Sequence, residues 1–160
     1  MPECTFTPPS GKRFYRWELY YADGKEGYRD PGSSLNIYED AKFVAIWLNA
    51  DSARIHLCNL EQHIFSEQTV PKNSKLVLPD TADGTKTAFW IDSDGMFYAV
   101  NQTITVQKDN SYFAYPAALG MILENGVPVL YQNGNKVSRK KVKLGNYYFT
   151  FGNSGEMVRQ

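Results

Sequence analysis

The chain has 160 residues, 42% of them apolar and 14% aromatic, and its seventeen basic and seventeen acidic side chains cancel to zero net charge. That length fits one domain, residues 1–160, which buries roughly 68–70% of its unfolded surface without a covalent staple. The composition excludes a disordered chain and, with only Cys4 and Cys58, a disulfide scaffold, and the neutral balance gives no electrostatic footprint for a nucleic-acid partner.

From Met1 to Ser10 there is no basic n-region followed by an apolar stretch, so the expectation is cytoplasmic synthesis without a signal peptide. Arg13 to Tyr21 reads as a long strand that turns at Ala22-Asp23-Gly24-Lys25 into Glu26 to Arg29. A short strand follows over Leu35–Tyr38. The region 43–64 carries two patterns. Apolar residues at 43, 46, 47, 50, 53, 57, 60 and 64 match a helical stripe, which makes this the one place for a helix. Phe43 to Leu48 and Ile55 to Asn59 also read as two strands about an Asn49-Ala50-Asp51-Ser52 turn. Val44, Ile46, Trp47 and Ile55 favour the strands, and the turn residues suit a helix interior poorly.

Further strands are expected at Lys75–Leu78, Thr103–Gln107, Val127–Tyr131, Lys136–Lys143 and Tyr147–Phe151. The clearest hairpin is Thr87–Val100, turning at Asp94-Gly95. Asp83-Gly84, Asn125-Gly126 and Asn133-Gly134 repeat the same signal, because these dipeptides tolerate the positive φ of tight hairpin turns. Turns at this spacing imply an all-β, mostly antiparallel fold, a β-sandwich or jelly-roll-like single domain. The longest apolar stretch, Tyr112 to Leu123, is interrupted by Pro116 and Gly120, short of the roughly 18–20 residues that cross a bilayer, so no membrane role is expected.

Few residues carry chemistry. His56 and His63 lack the spacing and the third partner of a metal site, and no cofactor motif, phosphate loop or nucleophile elbow occurs. Asp92-Ser93-Asp94-Gly95 resembles the opening of a calcium loop, but the distal glutamate is missing and turn chemistry accounts for it. Asn101-Gln102-Thr103 matches a glycosylation acceptor by chance. Catalytic and metal residues are therefore none.

Three features stand above this background. Tyr112, Phe113, Tyr115, Leu119 and Met121 compose an apolar, irregular stretch that suits either a protein interface or a passage through the core. Lys136, Arg139, Lys140, Lys141 and Lys143 form a basic stripe, which either meets an acidic partner or guards an edge strand. Trp90 and Tyr98, close to one turn, are candidates for stacking on a sugar. The leading expectation is a non-enzymatic assembly protein, such as a phage capsid-decoration or tail component of a virion, docked to other subunits as a homo- or hetero-oligomer. A carbohydrate- or other ligand-binding module is the alternative, and an enzyme of unrecognised type comes third.

Overall fold

The computed structural model describes residues 4–38 and 40–158, and these fold almost entirely into β-structure. The chain divides between Ser52 and Ala53 into two compact units. The turn just before the division, Ala50-Asp51, is short and has none of the Pro, Gly or Ser enrichment of a linker.

The first unit is a three-stranded antiparallel sheet of β1 (Lys12–Tyr21), β2 (Glu26–Arg29) and β3 (Ala41–Asn49), in the order β2-β1-β3. The β1–β2 turn forms as its Asp23-Gly24 signal implies. Gly24 takes φ +84° and the Asp23 carboxylate accepts the Lys25 amide at 3.0 Å. Alternation along β1 buries Trp17 and Leu19 on one face. A register shift between Phe14 and Arg16 marks a bulge, which turns Phe14 onto the same face. The Phe14 ring centroid lies 5.2 Å from that of Trp17 and 5.7 Å from that of Trp47.

The second unit opens with β4 (Ser52–Cys58), β5 (Ile64–Pro71), β6 (Lys75–Val77), β7 (Thr81–Ala82), β8 (Thr85–Asp92), β9 (Phe97–Ala99), β10 (Thr103–Thr105) and β11 (Asn110–Pro116). A 3-10 turn, Ala117–Leu119, leads to β12 (Met121–Glu124), β13 (Val127–Gln132), β14 (Asn135–Lys136), β15 (Lys140–Leu144), β16 (Tyr147–Phe151) and β17 (Met157–Val158). The central sheet runs β5-β4-β11-β8-β7, with β9 also on β8, and its β4–β11 pair is parallel. Both faces of this sheet are covered, which makes the unit sandwich-like. Trp90, Tyr112, Ala114, Ile55 and Leu57 pack on one face with Leu78, Ile104 and Val106 from the β6–β10 region. Phe89 packs on the other with Met121, Leu130, Val142, Phe149 and Phe151. Because neighbours on a strand point to opposite faces, Phe89 and Trp90 each fill a separate core, and both are fully buried.

The hairpins about Asp83-Gly84, Asn125-Gly126 and Asn133-Gly134 all form with positive φ at both central residues. The Thr87–Val100 hairpin also forms, pairing Phe89 with Ala99 and Ile91 with Phe97. Three expectations need correction. In residues 43–64 the two favoured strands form on either side of the Ala50-Asp51 turn and the alternative helix does not, but β3 and β4 belong to different sheets and do not pair with each other as a hairpin. Leu35–Tyr38 is unpaired, because nothing among the described strands takes it as a neighbour and Ile37 and Tyr38 stay exposed. The run from Lys136 to Lys143 is not one strand. It breaks at 137–139, where Val137 turns into the core and Arg139 adopts φ +49°.

Candidate functional site

A cleft of about 610 Å³ opens in the second unit on the face of the central sheet that carries Phe89. Ile91, Phe113 and Tyr115 line it from the sheet, Tyr147, Tyr148 and Phe149 from β16, and Gln62, Ser93, Asn146 and Lys141 supply polar groups. Tyr115 is held by stacking on Phe89, with centroids 4.7 Å apart, and burial pushes its hydroxyl pKa up. Tyr147 donates its hydroxyl to Glu61, and that bond raises the Tyr147 pKa. The β15–β16 register sets Lys143 opposite Tyr148 and Lys141 two residues away on the same face. Their ammonium groups therefore lie 5.9 Å and 5.2 Å from the centroid of the exposed Tyr148 ring.

Asp92, at the wall of the cleft, is buried and fully used. One carboxylate oxygen accepts the Met96 amide at 2.8 Å, and the other accepts the Tyr98 hydroxyl at 2.9 Å and the Asn110 amide group at 3.3 Å. Asp92 thus pins the β8–β9 turn, and the calcium-loop resemblance resolves into turn chemistry. Among the described residues no group of three or more His, Cys, Asp and Glu is placed to hold a metal ion. His56 lies on β4 with Nδ1 3.3 Å from the Ser111 hydroxyl and Nε2 3.6 Å from Glu67, and exposed His63 lies 3.7 Å from Asp83. Both cysteines are free, and burial pushes the Cys58 thiol pKa up, away from the reactive thiolate.

The residues singled out from sequence are not brought to one place. Trp90 is fully buried and its indole nitrogen donates to the Pro79 carbonyl at 2.8 Å, so it presents no face to a sugar. Tyr98 packs edge-on against Tyr112 with its hydroxyl on Asp92, and burial with that bond raises its pKa. The two are correctly neighbours in register, but on the core side of the sheet. In the apolar stretch, Tyr112 and Met121 belong to the two cores, while Phe113, Tyr115 and Leu119 are half-buried. The basic stripe divides. Lys136 pairs with Glu124, and Arg139 donates to the Asn153 side chain at 3.1 Å. Lys140, Lys141 and Lys143 remain on β15, an edge strand, with no carboxylate paired to them among the described residues.

A second surface lies in the first unit, at residues that carry no site motif in the sequence. Phe43 to Leu48 is an unbroken apolar run of the kind found in strands buried on both faces. Here every one of these side chains is only half-buried, and β3 forms the end of its sheet. Phe6, Tyr28, Ile37 and Tyr38 of the same unit are exposed. The signal was legible in principle, since such a run predicts two covered faces and a three-stranded sheet cannot supply them.

No helix in the described residues is long and apolar enough to cross a membrane. No protein-family model matches the chain, and no curated protein or solved structure is significantly similar to it.

Proposed function

We propose that the chain is a non-enzymatic assembly subunit that docks onto further protein subunits, its own copies included, through the β2-β1-β3 sheet. The observation that supports this is β3, whose six consecutive apolar residues end a sheet without being buried. An apolar edge strand pairs readily with another chain, and natural proteins otherwise blunt it with charge, proline or a bulge. β3 has no charge or proline between Phe43 and Leu48, and the bulge of the β1–β3 pair lies in β1, opposite Ile46 and Trp47. Apolar side chains left half-open along the end of a sheet are of the kind that mark an interaction site. A virion, with capsid-decoration or tail proteins repeated around a particle, is the setting this reading fits. Light scattering of purified protein across a wide concentration range tests it. Particles of two or more chains are expected, and Ile46→Lys in a folded protein should reduce them to single chains. A single-chain mass at every concentration would overturn the reading.

A second reading rests on the cleft. Exposed Tyr148 between Lys141 and Lys143, with the side-chain amides of Gln62 and Asn146 nearby, suits an acidic saccharide. A pyranose face would stack on the ring and a carboxylate would meet the lysines. An oligogalacturonate titrated into the protein should then bind in a salt-sensitive way, with at least fivefold loss in Tyr148→Ala and Lys141→Gln. Equal binding of a neutral oligogalactose would contradict it.

A further inference from the structure

The geometry points to one specific partner for β3: a second copy of the same strand, antiparallel, about a two-fold axis through Ala45. This inference rests on the assembly reading and names the contact it uses. One edge of β3 is bonded along its length to β1, from Lys12↔Asn49 to Tyr21↔Ala41. No described strand occupies the other edge.

Symmetry then limits the register. Two identical antiparallel strands in one sheet are related by an axis perpendicular to it, so each residue must face one of its own side of the strand. The admissible centres are therefore single residues. Centred on Ala45, the strand is a chemical palindrome. Ala45 meets Ala45, Val44 meets Ile46, and Phe43 meets Trp47. Each half of the contact thus matches an aromatic to an aromatic and a β-branched residue to a β-branched one, the cross-strand pairs that favour a sheet. Lys42, the only charge in β3, faces Leu48 and meets no like charge. Moving the centre to Ile46 sets Phe43 against Asn49 and breaks the aromatic match. Moving it to Val44 sets Lys42 against Ile46 and Ala41 against Trp47. A parallel, in-register pair would oppose Lys42 to Lys42. The result is one six-stranded sheet, β2-β1-β3-β3-β1-β2, in which the run Phe43–Leu48 lies at the centre, where an apolar strand belongs.

Ala45→Cys, made with Cys4→Ser, tests this register, since buried Cys58 is not a competing thiol. Facing residues of an antiparallel pair have Cα atoms about 4.5–5.5 Å apart, within the roughly 4.4–6.8 Å that a disulfide spans. Mild oxidation should convert most of the chain to a covalent dimer, while Asn49→Cys in the same background should give none. Independently, Ala45→Glu and Ala45→Lys should each weaken self-association at least tenfold, and an equimolar mixture should restore it as a mixed dimer. Multimers by light scattering with neither cross-link nor rescue would overturn this contact and leave the assembly reading standing. Single chains in the unmodified protein would overturn both.

Discussion

Replacing Trp90 by Ala should unfold the second unit's first core rather than remove a binding surface. The indole is fully buried among Ile55, Leu57, Leu78, Ile104 and Val106, and Phe65 packs against it at 6.4 Å. Truncating a buried Trp to Ala costs about 3–5 kcal/mol in transfer and cavity terms. It also strips the Pro79 carbonyl of the donor it holds at 2.8 Å, which adds about 1–3 kcal/mol if no water replaces it. A combined loss of about 4–8 kcal/mol is a large part of the roughly 5–15 kcal/mol that stabilises a domain. It should lower the melting temperature by about 8–32 °C. Urea unfolding followed by far-ultraviolet circular dichroism measures the loss directly. Trp90→Phe keeps most of the volume and loses the hydrogen bond, so it should fall between, at about 1–3 kcal/mol. A loss below about 1 kcal/mol in Trp90→Ala would refute the placement of this ring in the core and reopen the stacking role.

Asp92→Asn keeps the shape of the side chain but turns an amide toward the Tyr98 hydroxyl and the Asn110 amide, both of which donate to the carboxylate. A loss of about 1.5–3 kcal/mol by urea unfolding is expected, and a neutral result would show that the turn does not depend on this anchor. Gly155→Ala should cost about 1–3 kcal/mol, because φ is +83° and the new Cβ would sit 2.9 Å from the Val137 carbonyl oxygen and 2.5 Å from the Lys136 side chain; an unchanged urea midpoint would contradict this. Burial raises the pKa of Tyr98, Tyr112 and Tyr115 above the ordinary value of 10.0. The stability they contribute is fully present below pH 10 and lost as the pH climbs from there through their folded values, since the unfolded chain ionises first. Melting temperatures that hold steady beyond pH 10 would contradict that linkage.

Turn chemistry made most of this fold readable. Asn125-Gly126, Asn133-Gly134 and Asp83-Gly84 each demand positive φ, and each sits where a hairpin closes. What a turn signal cannot supply is the face a side chain occupies. Trp90 and Tyr98 do lie beside one turn, as their positions imply, yet Phe89 and Trp90 both point into cores because β8 is covered on both faces. β5 carries no legible strand pattern, because Ser66-Glu67-Gln68-Thr69 interrupts its apolar residues and its place beside β4 is set by tertiary pairing. The Phe14 bulge is likewise a tertiary event, since Arg13-Phe14-Tyr15-Arg16 contains no glycine or proline to announce it. In the basic stripe, composition suggested one strand, whereas Val137 is drawn into the core and breaks it. The β3 surface is the reverse case. Its branching and aromatic content mark a strand, but its incomplete burial follows only from the number of strands beside it.

Amide hydrogen exchange along β3, compared in dilute and concentrated protein, bears on the assembly claim most directly. In an antiparallel edge strand the amides that point away from β1 have no partner and exchange quickly. The account predicts that these alternate amides between Phe43 and Leu48 slow at least tenfold as concentration rises, while β1 amides bonded to β3 keep the rates they already have. Equal and fast exchange of the outward amides at every concentration, in protein whose β1–β3 amides remain protected, would contradict it.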